Sequence, residues 1–402
     1  MVATLGERRV YRRSRIDPMR ASFESYVLRQ PQILAIPLVL ALLTCGPQAN
    51  PASATTSPSA SIANSTLPSA SPGQSSKPSP TPIPPKFPMD FLANEQCRAA
   101  GECPPISCFA SEFDPIRREI IFFGGCLPSE PRSDATWRYK DGTWTRLFPS
   151  DTPPARGFAA MAFDEALGVI VMYGGSDVPD WAAEATVSPD IAISGDTWTW
   201  DGSDWTEQHP AHHPVLFGPS ATYDYARHQI VLIGVTPANT MQTWTYDGVD
   251  WTHRALADRT PTPWRIYERL SFGPASSTVA TFGGYNPSNA DISAVWKWDG
   301  RTWTKTLANA PPAISGLASF APEFAQKSIL ICSDTQPATT WLLNLSGFRQ
   351  VHPVHQPGTC AGMSPDRSRD RVLVYGWTEF KGDSWQFEVW FWSGSDWTAT
   401  TV

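Results

Sequence analysis

Beyond residue 108 the chain is punctuated by short apolar runs: IIFF at 120, VIVMY at 169, IVLI at 230, VATF at 279, SILI at 328 and VLVY at 372. Runs this short, bounded by turn formers and rich in β-branched and aromatic residues, have the character of buried strands rather than helices. Most close on glycine, doubled in Gly124-Gly125, Gly174-Gly175 and Gly283-Gly284. Ten residues before the first glycine position stands Asp114, Asp164, Asp224 or Asp366, with Pro322 there in the fifth run. A strand therefore precedes each run and is joined to it by a tight aspartate turn. After each run comes a variable loop and then two aromatic-rich segments around a turn, as in TWTWDGSDWTEQ at 197–208. The Asp-Gly at its centre predicts a hairpin with left-handed backbone angles.

The whole unit reads as strand A, turn, strand B, glycine, loop, strand C, turn, strand D, and it occurs six times. The first tryptophans of the paired segments are Trp137, Trp198, Trp244, Trp296, Trp341 and Trp390. A second aromatic follows seven residues later in every copy: Trp144, Trp205, Trp251, Trp303, Phe348 and Trp397. A period near 50 residues with four strands per copy predicts sheets arranged radially about an axis. An isolated four-stranded sheet cannot cover both of its faces, whereas neighbouring blades cover one another. Fourteen of the 18 tryptophans fall in the C and D segments, which assigns them to packing between blades.

The double glycine that closes the second strand and the aromatic and tryptophan that mark the third and fourth resemble the Kelch repeat, over residues 108–402. Gly234-Val235, Cys332-Ser333 and Gly376-Trp377 replace the glycine pair in the third, fifth and sixth copies. The resemblance implies an all-β, six-bladed Kelch-type β-propeller, similar to the central domain of galactose oxidase.

The first 45 residues read differently. An arginine-rich start leads into ILAIPLVLALL at 33–43 and then Thr44-Cys45-Gly46. Eleven apolar residues are short for roughly 30 Å of hydrocarbon and fit a signal-peptide core. Leu42-Leu43-Thr44-Cys45 resembles the lipobox of bacterial lipoproteins, which implies lipidation at Cys45. An uncleaved anchor and plain secretion remain open, and Met19 is an alternative start. All three routes export the remainder. Residues 46–89, mostly Pro, Ser, Thr and Ala, cannot bury enough apolar surface to offset ordering and read as a disordered linker. A cysteine-containing lead-in, 90–107, joins it to the propeller.

Charge narrows the partners. Seven arginines but only three acidic residues lie in the first 30 positions, so the remainder carries the acidic excess behind the net charge of -7. Nothing there offers the basic footprint of a nucleic-acid binder. Setting Cys45 aside, Cys97, Cys103, Cys108, Cys126, Cys332 and Cys360 make an even count in an exported domain, the arithmetic of disulfides. Cys332 ends strand B of the fifth copy and Cys360 begins strand A of the sixth, so those ends adjoin and the pair is expected to bridge.

Strand polarity puts the B–C and D–A loops on one face and the A–B and C–D turns on the other. The four tryptophans that do not repeat, Trp181, Trp264, Trp377 and Trp385, map with Arg265 to B–C and D–A connections. Tryptophan beside a cation and nearby carboxylates suits a glycan or peptide platform. His209, His212, His213, His352 and His355 map there too and read as loop residues. No nucleophile-base set, phosphate loop or metal-ligand spacing stands out, and no cofactor is called for. The expectation is an exported, membrane-tethered module that binds a protein or glycan at the cell surface through the loop face. The alternative is a carbohydrate-active oxidase or hydrolase on the same propeller.

Overall fold

The structure, a computed structural model, describes residues 108–125, 132–176, 193–255, 269–284, 293–311, 318–333, 338–380 and 384–400, with 104 and 314 besides. All of these lie in one compact unit, Pro80–Val402. Segments 1–45 and 46–89, Cys45 included, and all of 90–107 but Pro104, lie outside the described residues.

Six antiparallel sheets follow one another along the chain, each of four consecutive strands in the order A-B-C-D. The inner strands are Ala110–Asp114, Ala160–Asp164, Phe217–Asp224, Arg269–Gly273, Ala318–Glu323 and Gly362–Asp366, each packed beside the next. The first also packs beside the sixth, with Ser364 Oγ 2.5 Å from Glu112 Oε1 and Trp144 4.9 Å from Phe387 between ring centroids. The ring therefore closes without an exchanged strand. Strand B lies between two neighbouring blades, and in Glu119–Phe123 and Ser328–Ser333 every residue is buried. That is why its sequence is a continuous apolar run instead of an alternation.

The A–B turns follow one design. Asp114 Oδ1 accepts the N–H groups of Ile116 and Arg117 at 2.9 and 3.0 Å, Asp164 Oδ1 those of Ala166 and Leu167, and Asp224 Oδ1 that of Ala226, the Arg227 N–H going to the Asp224 carbonyl. In the fifth blade the register puts Glu323, not Pro322, at this place, because Glu323 pairs with Ser328 as Asp114 pairs with Glu119. Its carboxylate accepts the Gln326 N–H at 2.6 Å. The same register makes Ser333, not Cys332, the counterpart of Gly124.

The C–D turns depart from the expected single type. Blade 1 makes the expected two-residue turn, with positive φ at Asp141 and Gly142 and Lys140 paired to Thr143; blade 5 also turns in two residues, between Asn344 and Gly347, but there the positive φ falls on Gly347. Blades 2, 3 and 4 use four-residue loops in which glycine alone has positive φ, and the aspartate caps the loop instead. Asp201 Oδ1 accepts the N–H groups of Ser203 and Asp204 at 2.8 and 2.9 Å. In blades 2 and 4 an arginine side chain of the preceding blade lies over the glycine and would have to shift for any larger residue. A Cβ on Gly202 would lie 1.8 Å from Arg117 Nε of the preceding blade, and one on Gly300 2.1 Å from Arg227 Nε.

The blades are bolted through the repeated aromatics. Trp205, Trp251, Trp303 and Trp397 are all buried. Their indole N–H groups donate to Thr136, Thr197, Thr243 and Thr340 of the preceding blade at 2.7 to 2.9 Å. Each threonine stands immediately before the first tryptophan of its own blade. Valine replaces threonine in two blades: Val295 of blade 4 precedes Phe348 of blade 5, which has no N–H to give, whereas Val389 of blade 6 precedes Trp144 of blade 1, so the matching is not strict. A further tie is the Cys332–Cys360 disulfide between blades 5 and 6, with Cα atoms 6.0 Å apart, as expected. Cys108 is disulfide-bonded too.

Candidate functional site

The loop face begins where strand B ends, and the glycines decide where that is. Both members of Gly124-Gly125, Gly174-Gly175 and Gly283-Gly284 have positive φ, and the strand stops before them. The D–A backbone then passes so close that a Cβ on Gly124 would lie 2.2 Å from Arg156 O. Single glycines behave otherwise. Gly234 and Gly376 are not among the positive-φ residues, and their strands run on through them.

In blade 6 the consequence is a long hairpin. Strand B spans Arg371–Phe380 and strand C spans Ser384–Trp392. Trp377 pairs with Phe387 and Glu379 with Trp385, so the register puts positions 377, 379 and 385 on the same hairpin face as Phe387. Trp377 and Trp385 therefore sit within strands, not in a loop. The glycine at 376 had marked a strand end in the sequence; without a second glycine it does not. Trp181, Trp264 and Arg265 lie outside the described residues.

Blade 2 shows how a polar site is built beside strand C. Arg156, buried in the D–A connection, donates to both oxygens of Asp196 at 2.5 and 2.7 Å and to Gly174 O at 3.0 Å. Trp198 Nε1–H also donates to Asp196 at 2.8 Å. Burial pushes the Asp196 carboxyl up, but the bonds from Arg156, Ser194 and Trp198 outweigh it and hold the group below its usual range. In sequence register Arg265 corresponds to Arg156, each four residues before its inner strand, whereas the counterpart of Asp196 in blade 4 is Ala294. Blade 4 thus keeps the arginine and lacks its carboxylate. In blades 3, 5 and 6 the same position is Gln242, Thr339 or Glu388, each accepting the indole N–H two residues on.

Two of the loop histidines are structural clamps. His212 bonds Asp250 through its backbone N–H at 2.8 Å and through Nδ1 at 2.7 Å; His355 bonds Asp396 in the same two ways. Both aspartates lie in the C–D turn of the following blade and also cap its tryptophan N–H. The His212 bond holds the Asp250 carboxyl below its usual range; Asp396, despite burial, is held low by His355. Among the described residues no group of three His, Cys, Asp or Glu side chains could hold a metal ion.

On the axis lies a cavity of about 70 Å³, lined by Glu112, Thr222, Tyr225, Ser364 and others from the inner strands. It has room for a few waters and is far below the roughly 300 Å³ at which small-molecule pockets begin. Burial raises the Glu112 carboxyl to about 7, against the lowering bonds from Ser364 Oγ and the Phe113 N–H. Tyr375 reaches over Gly362, where a Cβ would lie 2.4 Å from its ring, and places its hydroxyl 3.1 Å from Ser111 Oγ.

No protein-family model matches this sequence. No curated protein matches it either. Among solved structures, the SapL1 lectin in complex with alpha methyl fucoside is similar at a TM-score of 0.47 and 14% identity, covering 74% of this chain and 96% of that one. AofleA from Arthrobotrys oligospora is similar at a TM-score of 0.44 and 13% identity, covering 74% of this chain and 86% of that one.

Proposed function

We propose that the protein is an exported, membrane-tethered, Kelch-like propeller that binds a protein or glycan ligand at the cell surface through its B–C and D–A loop face. The observation that carries this reading is the blade 6 hairpin. Among the described residues its strands continue past the point where those of the other blades stop, and the extension carries Trp377, Glu379 and Trp385 beyond the repeated unit. Trp181, Trp264 and Arg265 complete the candidate surface. Arg265 lacks the aspartate that neutralises its counterpart Arg156, so its guanidinium suits an acidic or hydroxyl-rich group on the ligand. Export and anchoring rest on residues 1–45, with Cys45 as the lipidation site.

The axial cavity is too small for a sugar ring, so a ligand of either the binding or the catalytic kind belongs on the loop face. The test is a glycan and peptide array probed with the wild type and with Trp264→Ala/Trp385→Ala. Loss of binding at unchanged melting temperature supports the reading; full retention refutes the assignment of the site. Cell fractionation with labelled fatty acid, against Cys45→Ser, tests the anchor: label on the wild type alone supports lipidation.

A further inference from the structure

The face opposite the loops carries a second feature, unrelated to the tryptophan surface. The first residue after strand A is Pro115, Glu165, Tyr225, Pro274, Phe324 or Arg367, and of these Glu165, Tyr225, Phe324 and Arg367 meet at the axis. Arg367, of blade 6, does not serve its own turn. Its neighbours Arg369 and Arg371 do that, by bonding Asp366. The Arg367 guanidinium instead lies 5.0 Å from the ring centre of Tyr225 in blade 3 and 4.8 Å from that of Phe324 in blade 5. It donates to Glu165 Oε2 in blade 2 at 2.6 Å.

The two rings meet edge to face at 5.0 Å, and Phe272 backs Tyr225 at 5.3 Å. Two aromatic faces at right angles with a carboxylate closing the third side form a receptor for a flat cation. The cation it holds comes from the chain itself. The side chain of Arg367 is 47% exposed, so it can leave without any blade opening. Beneath it the axial cavity is bordered by Glu165, Tyr225 and Glu112. Burial, and then the nearby Glu165 and Glu112 carboxyls, push the Tyr225 hydroxyl well above its ordinary range, so the ring presents a neutral face to the cation.

The geometry points to a guanidinium-binding site at the axial mouth of the turn face, with Arg367 as its resident, displaceable occupant and an arginine side chain of a partner protein as the ligand class. Arg367 links four blades, so its release also loosens the mouth of the ring.

Chemical rescue on the full chain tests this, with ethylguanidinium as the probe and equal sodium chloride as the control. Arg367→Ala should bind ethylguanidinium saturably, at least tenfold more tightly than the wild type, with a rise in melting temperature. Adding Glu165→Gln should abolish that gain. If Arg367→Ala is too unstable to titrate at room temperature, recovery of its folded circular-dichroism signal by millimolar probe is the readout. A response equal to that of the wild type or of sodium chloride would overturn the proposal.

Discussion

Trp251 and Phe348 hold the same place in blades 3 and 5, yet they are bonded differently. Trp251 donates to Thr197 of the blade before it; Phe348 faces a blade with Val295 at that position. The two pairs are alternative solutions to one packing problem, a hydrogen-bonded couple or an apolar one, while Trp144, which packs with Val389 at that place, follows neither pattern. Trp377 and Trp385 offer the opposite contrast. They are the same residue type, but they occupy no place in this lock and sit on a strand extension that blade 6 alone has among the described residues. Position in the repeat, not residue type, separates scaffold from candidate site.

The largest break in that contrast comes from emptying a lock. Trp205→Ala removes a buried indole and its bond to Thr136, and should cost about 3 to 5 kcal/mol by calorimetry. Stability unchanged from wild type would mean that the repeated tryptophans do not hold the blades together.

Next in size is the axial acid. Glu112 has its proton affinity raised to about 7 in the folded chain and regains the ordinary value near 4.5 on unfolding. The folded state then holds the proton through that window while the unfolded state releases it. Stability should fall as pH rises from about 4.5 to 7, by about 3 kcal/mol in all. Glu112→Gln should flatten this slope in denaturant melts taken across the window. An identical slope in the variant would place the titration elsewhere.

A smaller effect isolates the lock itself. Thr197→Val should cost about 1 to 3 kcal/mol, because it leaves the Trp251 N–H buried without its acceptor. Combining it with Trp251→Phe recreates the Val295–Phe348 couple and should cost less than the sum of the single changes. Strict additivity in that double-mutant cycle would deny the coupling. Smallest of all, His212→Ala should leave the melting temperature almost unchanged, since its clamp on Asp250 is solvent-exposed.

The unit of four strands, the six copies and the Cys332–Cys360 bridge were legible in the sequence because each rests on local pattern at fixed spacing. The Trp–Thr lock was not read, although its signal was present: threonine precedes the first tryptophan except in places such as Val295, opposite Phe348. The lock joins residues more than 50 positions apart, and only closure of the ring shows which blade supplies the acceptor. Glycine misled in one place. Read as a strand end, Gly376 put Trp377 and Trp385 in a loop, whereas a single glycine without positive φ lets the hairpin run on. The Asp250 and Asp396 clamps were hidden for the same non-local reason as the lock, since their partners lie on another blade.

The most direct measurement of the scaffold–site division is to take Trp205→Ala and Trp377→Ala/Trp385→Ala together through calorimetry and the glycan and peptide array. The account predicts that the first loses melting temperature and that the second keeps it while losing the ligand bound by the wild type. A second variant that melts early, or that binds as the wild type does, would contradict it.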